Sequence, residues 1–171
     1  MEHFFGSSPV LNISDDIISD DFKSGMFKCR IVYDREILSI DYIPYTFRTI
    51  NRLVVMVNND IDYTYKWENR DELKKMMERK GEFDDILIVK NGMVTDVSSA
   101  NVVFEDESGF YTPNTYLLNG TKRQSLLNRG IITEREIGVD DIYSYSKLYY
   151  INAMIDLEDN RYVPTTSILK E

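Results

Sequence analysis

The chain has 171 residues, 43 % of them apolar and 12 % aromatic, with four prolines. That is enough to bury the core of one ordinary domain or of two small ones sharing an interface. Twenty Lys and Arg stand against 29 Asp and Glu, a formal charge of −9 that disfavours nucleic acid and anionic membrane as partners. Cys29 is the one cysteine and His3 the one histidine, which excludes an intrachain disulfide, a cysteine metal cluster and zinc or triad chemistry built on histidines.

Residues 1–25 are polar and weakly patterned, with a turn expected at Gly6-Ser7-Ser8-Pro9 and a solvated acidic tract at Asp15, Asp16, Asp20 and Asp21. No basic segment leads into an apolar one, and the longest apolar run, Leu53 to Val57, is too short to cross a bilayer. A cytoplasmic protein is expected. Met26–Asp34 and Glu36–Tyr45 read as a β-hairpin. Arg48–Val57 fits either a helix or a strand, and Asn58-Asn59-Asp60 closes it. The boundary expected there divides the chain into an N-terminal unit, residues 1–60, and a β-rich unit, residues 61–171.

Residues 67–80 have the pattern of an amphipathic helix, with Leu73, Met76 and Met77 on one side. Asp84–Lys90 is an apolar strand, Asn91-Gly92 a hairpin turn, and Met93–Thr95 the antiparallel return. Short strands follow at Asn101–Glu105 and Phe110–Thr112, then a helix over Thr121–Arg129 and a shorter one near Asp140–Ser146. Leu148–Ile151 and Tyr162–Thr165 are the last predicted strands. Hairpins with a few intervening helices predict an α+β fold rather than a doubly wound sheet.

Three places carry residues suited to chemistry. Lys66 lies in Tyr63-Thr64-Tyr65-Lys66-Trp67, an aromatic, β-like stretch before the helix, where desolvation would favour a neutral amine. A lysine among aromatics is, however, more often a snorkelling surface residue. Asp96 opens Asp96-Val97-Ser98-Ser99-Ala100-Asn101, where its carboxylate suits a protonated heterocyclic nitrogen; an ordinary polar loop with Asx and Ser turns fits the same residues. In Leu118-Asn119-Gly120-Thr121-Lys122-Arg123, a Gly-Thr pair opens a helix, and free N–H groups, a hydroxyl and the helix dipole make a phosphate seat or a plain cap. The spacing is not that of a Walker A loop.

The order of these blocks brings in a resemblance. Lys66 and Asn69 are similar to the lysine-x-x-asparagine of the class IV aminotransferases, the fold type IV family that includes branched-chain and D-amino-acid aminotransferases and aminodeoxychorismate lyases. Thr95, Asp96, Asn101 and Phe104 resemble its Thr-Glu-x-x-x-x-Asn-hydrophobic-Phe segment. Tyr111-Thr112-Pro113 and then Leu118, Gly120, Thr121 and Arg123 follow in the family's order. The resemblance covers roughly residues 26–165.

It implies a D-amino-acid aminotransferase-like, two-domain α+β fold with pyridoxal 5'-phosphate in the cleft, an amino acid or keto acid as substrate, and a homodimer. Lys66 would be the catalytic, cofactor-anchoring lysine, and Asp96 would face the pyridine nitrogen. Leu118 would pack on the ring, and Gly120, Thr121 and Lys122 would cup the phosphate. Ser98, Ser99 and Ala100 would line the cofactor side, and Asn152 with Ala153 the substrate side. Arg30 would take the substrate carboxylate through its bidentate fork. The implied reaction is amino-group exchange between an amino acid and a 2-keto acid, of the branched-chain type. The alternatives are an aminodeoxychorismate lyase-like reaction, or a shortened family member with weak or no catalysis.

The chain departs from the family pattern twice. The pyridine partner is aspartate, one methylene shorter than the usual glutamate, and a misplacement of about 1 Å can cost about 10²-fold in rate. His3 has Gly6 three positions on, so the His-x-x-Arg element that clamps the phosphate is not matched, and a truncated N-terminal domain is expected.

Overall fold

The computed structural model describes residue 22 and residues 24–170. The Gly6–Pro9 turn, the acidic tract from Asp15 to Asp21 and His3 lie outside them. The chain divides between Phe47 and Arg48 rather than after residue 60. The reason is the strand Leu53–Val57, whose first four residues are buried and which pairs inside the larger unit, so its apolar run belongs to that core.

In the smaller unit, β1 (Phe27–Tyr33) and β2 (Ile37–Pro44) form the expected antiparallel hairpin. Arg30 stands opposite Asp41 in the ladder, and their side chains meet at 3.2 Å.

The larger unit is a mixed sheet flanked by short helices. After β3 (Leu53–Val57) come α1 (Asp71–Glu78), β4 (Asp85–Lys90), β5 (Met93–Val97), β6 (Ala100–Asp106) and β7 (Gly109–Pro113). Then follow α2 (Thr121–Asn128), β8 (Thr133–Arg135), a 3-10 turn at Val139–Ser144, β9 (Lys147–Ile151), β10 (Tyr162–Pro164) and β11 (Ile168–Lys170). Among the described residues the strand order is β10-β9-β6-β5-β4-β3-β11, with β7 on β6 and β8 on β7. β3 runs parallel to β4 and to β11, and β7 parallel to β8; the other pairs are antiparallel. Strands β3 and β4 pair in parallel inside the sheet and are apolar almost throughout, as burial on both faces requires.

Local chemistry explains where the elements stop. Asn91 (φ 53°) and Gly92 (φ 78°) both adopt the left-handed conformation that a tight β4–β5 hairpin needs. α1 starts later than the sequence pattern predicts because the Asn69 side chain takes the Asp71 N–H at 2.8 Å, and Trp67 N–H turns back to the Tyr65 carbonyl. Residues 63–67 therefore form an irregular connection and not a strand. The short strands β8 and β11 are not legible in the periodicity, being three residues each.

Two clusters of the core carry the helices among the described residues. Leu73 and Met76 of α1 pack with Val54, Met56, Ile86, Ile88 and Leu117. Leu126 of α2 packs with Val103, Tyr149 and Ile151 of β6 and β9. Each fully buried side chain of this size contributes roughly 1.5–3 kcal/mol. Leu117 lies in one group and Leu126 in the other, so the segment joining β7 to α2 is held at both ends.

Candidate active site

Asp96 is the centre of the site. It lies near the end of β5, 5 % exposed, and its two oxygens are used differently. Oδ2 accepts the backbone N–H groups of Leu117 (2.8 Å) and Leu118 (3.1 Å), whereas among the described residues Oδ1 accepts only the Asn101 amide at 2.7 Å. A carboxylate oxygen can accept twice, so Oδ1 keeps one position open. Burial pushes the Asp96 carboxyl up to about 6; the Leu118, Asn101 and Leu117 donors and the Arg123 charge oppose the shift without cancelling it.

The β5–β6 hairpin turns through Ser98 and Ser99, and its register sets Asp96 opposite Asn101. Ser98 is buried; its hydroxyl donates to Asp85 Oδ2 at 3.0 Å, and its carbonyl accepts from Arg70. Asp85 is fully buried at the start of β4 and also meets Arg48 at 3.2 Å. The Ser99 carbonyl accepts the Asn152 amide at 3.3 Å, which ties the loop after β9 to this turn. Ala100 is half-buried and Ala153 exposed.

On the other side, Gly120 is the extended N-cap of α2, and no side chain caps this helix. The first-turn N–H groups of Thr121 and Lys122 therefore point outward with the positive end of the helix dipole. A Cβ on Gly120 would collide with Asn101 Oδ1, so only glycine fits this close approach. Lys122 pairs with Asp156, and that ion pair, ahead of a smaller opposing effect of burial, holds the Asp156 carboxyl below its ordinary value. Arg123 is buried, donates to the Pro113 carbonyl at 2.9 Å and to Glu134, and lies 4.3 Å from the Tyr116 ring centroid.

Of the residues singled out from sequence, Asp96, Ser98, Ser99, Leu118, Gly120 and Asn152 are joined by these bonds and contacts, with Ala100, Thr121 and Lys122 beside them in the chain. Lys66 is exposed in the irregular segment before α1, between the half-exposed rings of Tyr65 and Trp67 (centroids 5.5 Å apart). Its own neighbours do not bury it. Arg70, four residues on, ties that segment to the site through the Ser98 carbonyl. Arg30 belongs to the hairpin unit. Sequence reasoning missed Asn101 as a site residue, and missed Asp85, Arg48 and Arg70. The five-residue spacing from Asp96 to Asn101 across a two-residue turn was the available signal for the first; the others are long-range partners with no local signature.

The sequence profile described as amino-transferase class IV matches residues 49–157. An uncharacterised protein of Haemophilus influenzae is 37 % identical over 129 residues, 75 % of this chain and 69 % of its own length. A provisionally assigned 4-amino-4-deoxychorismate lyase from Haemophilus somnus 129PT is similar in structure, with a TM-score of 0.74 and 32 % identity over 79 % of this chain and 70 % of that one. A branched-chain aminotransferase from the archaeon Thermoproteus uzoniensis, solved with norvaline, has a TM-score of 0.55 and 16 % identity, over 75 % of this chain and 48 % of that one. That last likeness concerns the fold alone. The α+β sheet with few helices is that of the fold type IV, D-amino-acid aminotransferase-like class. The chain belongs to the class IV amino-transferase family.

Proposed function

We propose that this chain binds pyridoxal 5'-phosphate and transfers an amino group between an amino acid and a 2-keto acid, with Lys66 as its reactive amine. The observation that carries this reading is the pairing of a buried carboxylate, Asp96, held by the Leu117 and Leu118 N–H groups, with the uncapped helix start at Gly120 two residues further along the chain. One end of that arrangement suits a protonated nitrogen and the other a phosphate, as the cofactor's chemistry requires.

When bound, pyridoxal phosphate supplies a protonated heterocycle that draws electrons from the substrate carbon bearing the amino group. The open acceptor position on Asp96 Oδ1 would take the ring N–H, and the carboxylate would keep that nitrogen protonated. The backbone N–H groups at Gly120, Thr121 and Lys122 would hold the phosphate, and Leu118 would pack on the ring. Lys66 Nζ removes the proton from the substrate carbon and returns it. Ser98, Ser99 and Ala100 border the cofactor side, and Asn152 and Ala153 the substrate side. Because Lys66 is exposed in the isolated chain, its amine becomes desolvated only when cofactor and a second subunit of a homodimer cover it.

The Haemophilus somnus likeness at 32 % identity favours a second reading, a 4-amino-4-deoxychorismate lyase-like reaction at the same residues. The two differ in their demand for an acceptor. An aminotransferase stalls without a 2-keto acid, whereas a lyase releases pyruvate without consuming one.

The test is an absorption titration of the purified chain with pyridoxal phosphate, followed by borohydride reduction and peptide mass mapping. A pH-sensitive visible band in the unaltered chain, with cofactor mass on the Lys66 peptide and none in Lys66→Ala, is expected. No band at saturating cofactor would sink the reading.

A further inference from the structure

We propose that Asn101 is a positioning residue that couples the two ends of the cofactor site, so that a change at the phosphate seat is felt at the pyridine-side carboxylate and the reverse. This rests on the cofactor reading above, but its geometry is independent of any bound group.

Asn101 is 6 % exposed, and the β5–β6 register sets it opposite Asp96. Its Nδ2 donates to Asp96 Oδ1 at 2.7 Å and to the Leu118 carbonyl at 2.7 Å, which spends both amide hydrogens. Its Oδ1 lies against Gly120, in the space that a Cβ would need. The amide orientation is fixed by chemistry: rotated by half a turn, it would set an oxygen against two acceptors.

One planar amide thus touches the acid, the loop carbonyl and the residue that opens α2. Leu118 is gripped from both sides, since its N–H goes to Asp96 and its carbonyl to Asn101. Asp96 cannot swing its open Oδ1 position without releasing Asn101, and Asn101 cannot move without pressing on Gly120 or freeing Leu118. A buried amide satisfied within one strand pair would stabilise that pair only. This one spans β6, β5 and the loop before α2, which are the three pieces that present the site.

The geometry also predicts how loss of the amide is felt. Asn101→Ala removes a donor from a buried carboxylate, favouring its protonated form, and leaves the Leu118 carbonyl without its partner. Asn101→Asp keeps the shape but offers at most one proton to two acceptors.

Three measurements on the full chain test the coupling. The first follows the Asp96 carboxyl carbon by NMR against pH in the cofactor-free protein, and Asn101→Ala is expected to raise its midpoint by about one pH unit. The second compares the pyridoxal phosphate affinity and the phosphorus signal of the bound cofactor, and Asn101→Asp is expected to weaken binding roughly tenfold and to shift that signal, although the substitution touches no phosphate. The third follows the Asn101 side-chain amide protons in the unaltered chain, which are expected to shift as cofactor saturates it. An unmoved Asp96 midpoint together with an unmoved phosphorus signal overturns the proposal. If the variants do not fold, amide protons that fail to shift at saturation overturn it instead. Failure of the unaltered chain to bind cofactor would reject the proposed function, and an unmoved Asp96 midpoint in cofactor-free Asn101→Ala would then by itself overturn the coupling.

Discussion

Asp85 is fully buried at the start of β4, and the guanidinium of Arg48, itself half exposed, meets its Oδ2 at 3.2 Å. The same oxygen accepts the Ser98 hydroxyl, so this charge pair also holds the turn after Asp96. Removing one partner of a wholly buried pair costs about 3–5 kcal/mol. Arg48→Ala should cost less, about 2 kcal/mol, because Arg48 is solvent-screened and Asp85 retains Ser98 and the Ile86 N–H. A fall in the urea midpoint without a change in slope is the expected result.

Asp96 makes stability depend on pH in an unusual direction. Its carboxyl rises from an ordinary 3.8 to about 6 in the folded chain, so the folded state binds the proton more tightly than the unfolded one. Its contribution is fully present below pH 3.8 and is lost as pH rises through about 6, an effect of at most about 3 kcal/mol. Asp84, Asp106 and Asp156, all depressed, run the other way and lose stability as pH falls. The difference in melting temperature between the unaltered chain and Asp96→Asn, followed across the mildly acid to neutral range, isolates the Asp96 part. A flat difference would contradict it.

Gly120→Ala is expected to destabilise the chain by roughly 1–3 kcal/mol, since the added methyl runs into Asn101 Oδ1. The backbone there is extended and tolerates any residue, so the cost is steric alone. Gly120→Ala combined with Asn101→Ala should recover part of the loss. Thermal melts of the two single variants and the double variant form the cycle that shows it.

Arg123 illustrates why a fork is needed. Its guanidinium is 2 % exposed and reaches the Pro113 carbonyl, Asn119 and Glu134 while lying over Tyr116. Arg123→Lys keeps the charge but cannot reach three partners from one plane. A loss of about 2–4 kcal/mol is expected, close to that of Arg123→Ala. A lysine variant that melts like the unaltered chain would show that charge alone suffices.

Much was legible in the residues themselves. The β1–β2 hairpin, the β4–β5 hairpin on Asn91-Gly92 and the start of α2 after Gly120 follow from short-range rules: alternation, positive φ at a turn and a helix that begins at Gly-Thr. The block order from Lys66 through Asp96 to Arg123 was enough to indicate the family. What was not legible depended on one short-range side-chain bond and on partners far away in the chain. The 67–80 pattern lost its first turn to Asn69, and the apolar run at Leu53–Val57 went to the larger unit because β4 pairs with it.

The sequence by itself determined the residue types of the candidate site, the hairpins and the family, because these are written in local spacing. Only the tertiary structure decided that Asp96 is buried with one acceptor position open, that Asn101 grips Leu118 and crowds Gly120, and that Lys66 stays exposed before α1. Each of those depends on desolvation and on contacts between separate strands and loops, which no periodicity along the chain encodes.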